Sequence, residues 1–140
     1  MSATPPAVLI VGDDPGTLAG YLEILQSAGL YAAGTASGSD ALGLVIRTRP
    51  DVVITDITPP AVDGLRLAEA LRADDRTRAI PVIGLTARWT PAMRGDATRA
   101  GIHTLLLKPC IPDHLLAEIR RALKRAIDHG PAPRDRRSES

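Results

Sequence analysis

One feature constrains the fold more than any other: a short apolar run followed by a longer segment with apolar residues at helical spacing, repeated five times. Ala7-Val-Leu-Ile-Val11 is wholly apolar and rich in β-branched residues, as a strand buried on both faces must be. Asp14-Pro15 then supplies a helix cap and first helical position, Leu18, Leu22 and Leu25 recur at helical spacing, and Gly29 ends the element. A weaker strand is predicted over about 30 to 35, and a helix seeded near Ser37 or Ser39 carries Leu42 and Ile46. Asp51-Val-Val-Ile-Thr55 is the third strand, and Asp63 can cap a helix holding Leu65, Leu67, Ala68 and Leu71. Pro81-Val-Ile-Gly-Leu85 and Thr104-Leu-Leu-Leu107 are the last two strands. Thr90-Pro91 starts the helix between them, which contains Gly95, stops near Gly101 and is expected to be the least stable. Pro112 opens a final helix with Leu116, Ile119 and Leu123 along one side. This rhythm predicts an α/β domain: a doubly wound, five-stranded parallel sheet with helices on both faces.

A chain of 140 residues makes one such domain, and residues 7–127 are assigned to it. Residues 1–6 are expected to be disordered, and residues 128–140, polar and without apolar period, to form a flexible tail. Seventeen basic residues against sixteen acidic ones leave a net charge of +1, which draws the chain neither to nucleic acid nor to an anionic membrane surface. The single cysteine, Cys110, excludes an internal disulfide and suits a reducing compartment. No apolar run approaches the roughly 20 residues that span a bilayer, and no secretion signal is visible, so the expected location is cytoplasmic.

In open α/β sheets, ligands bind outside the carboxyl ends of the strands, so the residues just past each apolar run are the informative ones. They are Asp13 and Asp14 after the first strand, Asp56 after the third, Thr86 after the fourth and Lys108 after the fifth. Lys108 is one of only two lysines against fifteen arginines, so background composition does not explain its position. Clustered carboxylates and a backbone carbonyl suit a hard cation such as Mg²⁺. A carboxylate can act as a covalent nucleophile, and a hydroxyl and an ammonium beside it would hold the oxygens of a transferred phosphoryl group. The set reads as a phosphorylatable aspartate.

With these residues in place, the chain resembles the receiver domain of two-component response regulators. The most specific stretch is Asp56-Ile-Thr-Pro-Pro-Ala-Val-Asp-Gly64, similar to that family's phosphoacceptor loop. Pro50-Asp51, Ile80-Pro81, Thr86-Ala87, Ala100-Gly101 and Lys108-Pro109 fall in family order on the expected elements. The resemblance implies a flavodoxin-like fold with strand order 2-1-3-4-5 and a phosphoacceptor at Asp56. It implies Mg²⁺ held by Asp13, Asp56 and the Thr58 carbonyl, with Thr86 and Lys108 binding the phosphoryl group. The family's phosphodonor is a phosphohistidine on a sensor histidine kinase or phosphotransfer protein, and its usual output face is helix 4, strand 5 and helix 5. Met93 and Ala97 are candidate contacts there, although core packing explains them equally well. Thr58 and Arg88 stand at the family positions that tune acyl phosphate lifetime. Such a chain is a signalling module rather than a turnover enzyme, expected here to stand alone and to act through protein contact.

Two departures stand out. Gly12 occupies the first of two acidic positions that the family places after strand one; Asp14, one place later, is better explained as a helix cap, with an auxiliary metal role open to it. Leu105 occupies the position where the family often has Tyr or Phe, and Cys110 the place of a common Phe, in a chain with no phenylalanine. These changes motivate an alternative, a pseudo-receiver that binds protein without phosphorylation.

Other reactive residue types are read as structural. His103, His114 and His129 lack metal-site spacing and are expected at the surface. Trp89 is either a partner anchor or a partly covered surface ring. Thr58 stands where an aspartyl-phosphate phosphatase would place its second acid, and Val11-Gly-Asp-Asp-Pro-Gly16 lacks the dinucleotide fingerprint, so enzyme readings on this fold are disfavoured.

Overall fold

In a computed structural model, residues 5–12, 14–36, 38–57, 63–108 and 110–129 are described. Five strands and five helices alternate: β1 (Ala7–Val11), α1 (Pro15–Ser27), β2 (Tyr31–Thr35), α2 (Gly38–Thr48), β3 (Val52–Asp56), α3 (Asp63–Ala73), β4 (Val82–Thr86), α4 (Pro91–Ala100), β5 (Thr104–Leu107) and α5 (Pro112–His129). All strands pair in parallel in the order β2-β1-β3-β4-β5. The order reverses at β1, so the carboxyl ends of β1 and β3 flank the crevice where such sheets bind ligands.

Alternating residues of each central strand feed two cores, as the period-two pleat requires. Leu9, Val11, Val53 and Val82 pack with Ala41, Leu67 and Leu71 on the α2–α3–α4 face. Val8, Ile10, Ile54 and Ile83 pack with Leu25, Leu115 and Ile119 on the α1–α5 face. Ile54, Leu115 and Ile119 are fully buried. Each contributes about 1.5–3 kcal/mol of apolar transfer free energy. The weak alternation of Tyr31–Thr35 belongs to an edge strand, half exposed along its length.

The caps stand where the sequence placed them. The Asp14 side chain accepts from the Gly16 N–H at 3.3 Å and the Thr17 hydroxyl at 2.6 Å, and Thr90 Oγ1 accepts from the Met93 N–H at 3.0 Å. Gly101 closes α4 with φ +93°, a conformation that costs glycine nothing. The Asp63 side chain lies outside the described residues, although α3 begins at that position.

Two expectations shift. The buried stripe of α5 is Leu115, Ile119 and Ala122; Leu116 and Leu123 flank it half-buried against the same core. Ala97 is core, which removes it as a candidate output contact, while Met93 packs half-buried against the same core. The last turn of α5 runs on to His129, and residues 1–4 and 130–140 lie outside the described residues.

Candidate functional site

Ladder hydrogen bonds carry the backbone one residue past each strand end and fix its direction there. Gly12 N–H donates to the Thr35 carbonyl at 3.1 Å, Ile57 N–H to Leu85 at 2.8 Å and Lys108 N–H to Thr86 at 2.7 Å. Asp56 and Lys108 therefore project from rigid backbone rather than from free loops. Lys108 Nζ donates to Asp56 Oδ2 at 2.8 Å, across 52 residues of sequence. The two side chains, Asp56 and Lys108, are only 11% and 27% exposed, so this charge-assisted bond is shielded from much of the screening that weakens surface pairs.

Gly64 explains why the loop after Asp56 ends in Asp-Gly. A Cβ there would overlap the Asp56 carbonyl oxygen and lie 2.8 Å from Ile57 Cγ2. Only glycine lets the start of α3 seat directly on the end of β3, which pins the acceptor strand.

Thr86 is fully buried on β4, one strand from Asp56. Its hydroxyl donates to the Arg88 carbonyl at 2.8 Å and accepts from the Arg88 N–H at 3.1 Å, so it closes a small turn on its own loop. Leu105 packs half-buried against the α2–α3–α4 core, with its Cδ1 beside Gly84, where a glycine Cβ would stand 3.2 Å away.

Around β1 the site is sparser. Among the described residues, a Cβ built on Gly12 meets no heavy atom within 4 Å, so a side chain has room there. The Asp14 carboxylate is engaged by Gly16 and Thr17, and the Thr17 hydroxyl holds it below its ordinary pKa of 3.8. That accounts for the residue as a cap. Asp13, Thr58 and Pro109 lie outside the described residues, and among the described residues no group of three His, Cys, Asp or Glu side chains forms a cation cluster. Asp56 is a hard oxygen ligand bordering the open volume at Gly12, which suits Mg²⁺ chemistry but supplies one carboxylate.

Sequence reading missed Tyr21. From α1 it lines the same crevice as Gly12, Asp14, Asp56 and Lys108, and burial raises its phenol above the usual value of 10.0. A tyrosine within an apolar helical stripe carries no signal of proximity to β5. Burial likewise raises the Cys110 thiol, consistent with a packing residue. Trp89 is 49% exposed, and the Arg94 guanidinium lies 5.9 Å from its ring centroid.

Comparison with known proteins agrees with this architecture. The family model of the response regulator receiver domain matches residues 8–120, and the chain belongs to that family. It is 35% identical to the transcriptional regulatory protein PrrA of Mycobacterium tuberculosis over 122 residues, 87% of this chain and 52% of that protein. The chain thus spans about half the length of the first curated relatives it matches. It is 33% identical to the polar-differentiation response regulator DivK of Brucella anthropi, over 85% of this chain and 97% of DivK. The structure of chemotaxis protein CheY4 of Vibrio cholerae superposes with a TM-score of 0.81 at 28% identity, covering 86% of this chain and all of that one. The chain is a two-component signalling module with the flavodoxin-like receiver fold, and no described helix is long and apolar enough to cross a membrane.

Proposed function

We propose that Asp56 accepts a phosphoryl group from a phosphohistidine on a sensor histidine kinase or phosphotransfer protein, and that residues 7–127 act as the receiver unit in the cytoplasm. The observation that carries this reading is the shielded 2.8 Å pair of Asp56 and Lys108 at the switch-point edge of the sheet. An Asp56 carboxylate oxygen attacks phosphorus while the phosphorus–nitrogen bond breaks, and the imidazole nitrogen keeps the electron pair. The Lys108 ammonium, already in place, follows the charge onto a phosphoryl oxygen. The Thr86 hydroxyl exchanges the Arg88 carbonyl for a phosphoryl oxygen. Mg²⁺ is the family's cation and supplies charge neutralisation when bound; Asp56, Asp13 and the Thr58 carbonyl would hold it. Without a carboxylate at position 12, its affinity is weaker than a site with three carboxylates would give. Output is by protein contact through α4, β5 and α5, beside which Trp89 just before α4, Leu107 at the end of β5 and Ile111 just before α5 are exposed at 49%, 49% and 66%.

Intact mass tests the reading after incubation with Mg²⁺ and acetyl phosphate, beside Asp56→Ala and a Mg²⁺-free control. One added phosphoryl group, absent from both controls, is expected. Where hydrolysis outruns detection, beryllofluoride with Mg²⁺ should change the emission of Trp89, the chain's one tryptophan, in the parent and not in Asp56→Ala. No mass gain and no emission change would overturn the reading in favour of a phosphorylation-independent binding module.

A further inference from the structure

The opposite edge of the sheet holds a second site. Between the carboxyl-terminal ends of α3 and α4 and the starting ends of β4 and β5 lies a cleft of about 340 Å³. Its wall and floor include Leu71, Ile80 and Ile102, and its charged lining is Arg72, Arg78 and His103; among the described residues no carboxylate lines it. The cations come from two separate stretches of sequence, 72–78 and His103, and the fold brings them together.

Two of them are pre-positioned. Arg72 Nη1 donates to the Arg99 carbonyl at 3.1 Å, and its Cδ occupies the place a Cβ at Gly101 would need, 2.8 Å from that point. His103 is pinned through its own N–H to the Val82 carbonyl at 3.0 Å, and its Nδ1 accepts from the Val82 N–H at a long 3.5 Å. The neutral ring therefore carries its proton on Nε2, the nitrogen not turned to the strand. Arg78 pairs with Asp75 at 2.6 Å, but that carboxylate is 85% exposed, and such surface pairs exchange readily for a better anion. Partial desolvation holds the His103 imidazole below its ordinary pKa although the residue keeps an exposed surface, and the nearby Arg125 and Arg72 charges push the same way.

We infer that this cleft binds a small organic anion, a phosphate-type head on an apolar body, with the head between Arg72, Arg78 and His103 and the body against Leu71, Ile80 and Ile102. Arginine forks suit such a head because they donate two parallel bonds, and the apolar floor favours a ligand with more than the head alone. The helix C-termini account for one arginine near each end, as last-turn cations offset the helix dipole. They do not account for His103 or for Arg78, which lies beyond α3 in the loop leading to β4. The site is independent of phosphorylation at Asp56, which sits at the other end of the strands.

The test is a ¹⁵N NMR titration of the full chain with phenylphosphonate, which has no phosphoryl group to transfer, beside inorganic phosphate and chloride. Saturable shifts are expected at Gly101, Ile102 and His103, with phenylphosphonate binding roughly tenfold tighter than inorganic phosphate because the ring buries apolar surface. The exposed-residue variants Arg78→Gln and His103→Gln should each weaken binding roughly fivefold while leaving the Asp56-edge resonances in place. Equal affinity for the two anions, shifts scattered over all exposed arginines, or indifference to both substitutions would overturn the proposal.

Discussion

The two halves of the carboxyl edge are built to different standards. On the β3–β4–β5 side, Asp56, Thr86 and Lys108 stand on ladder-fixed backbone, and the ion pair is formed at 2.8 Å. On the β1 side, position 12 has space but no side chain, and Asp14 is spent on a helix cap. Asp56 serves both tasks, as acceptor of the phosphoryl group and as a ligand to the cation, but its partners differ: Thr86 and Lys108 for the phosphoryl group, the end of β1 for the cation. The contrast teaches that one half of such a site can be fully built while carboxylate charge is missing from the other.

Removing a member of the built half should have the largest effect. Lys108→Ala is expected to slow mass gain from acetyl phosphate on the order of 100-fold, the scale of losing one pre-placed charge-stabilising donor. Initial rates by intact mass measure it, and a change below about threefold would mean that the ion pair is structural. Next comes Gly12→Asp, which should tighten Mg²⁺ binding roughly tenfold, since affinity follows ligand charge. With no heavy atom of the described residues within 4 Å of the new Cβ, the melting temperature should barely move. Unchanged Mg²⁺ affinity by tryptophan titration would erase the distinction between the halves.

Asp14→Ala is expected to lower the melting temperature by about 3 °C through loss of the cap, with Mg²⁺ affinity within about twofold of the parent. A larger loss of affinity would return Asp14 to the cation half. The smallest effect is in acid. The folded pKa of Asp14 lies below 3.8, so its stabilisation is complete above that value and drains away as pH falls through the lowered one. Thr17→Val removes the first cause of the shift and should flatten the melting temperature between pH 4 and the acid limit, a difference differential scanning calorimetry can follow.

Much of this was legible in the chain. Ala7–Val11 and Val52–Asp56 could only be doubly buried strands, and Asp14-Pro15 and Thr90-Pro91 announced their helices by chemistry that acts within a few residues. Strand-end logic gathered Asp56, Thr86 and Lys108 because parallel strands all end at one edge. What escaped depends on rotation or on distant neighbours. Leu115 rather than Leu116 is fully buried with Ile119 and Ala122, and period alone cannot choose between adjacent stripes that share Ile119. Tyr21, and the meeting of Arg72, Arg78 and His103, arise only when elements far apart in sequence pack. The Thr86 hydroxyl's partner is a rotamer choice, invisible in a letter code.

That choice has a consequence for how a message could leave the site. The hydroxyl staples residues 86–88 into a closed turn, and Trp89 is the next residue along. If a phosphoryl oxygen claims the hydroxyl proton, the staple loses its bond to the Arg88 carbonyl, which turns to water, and keeps only the one from the Arg88 N–H. In a chain with leucine at position 105 and no phenylalanine, the outgoing signal would then be a slackening of the tether that holds an exposed indole, sensed by a partner as freedom rather than as a ring moved inward.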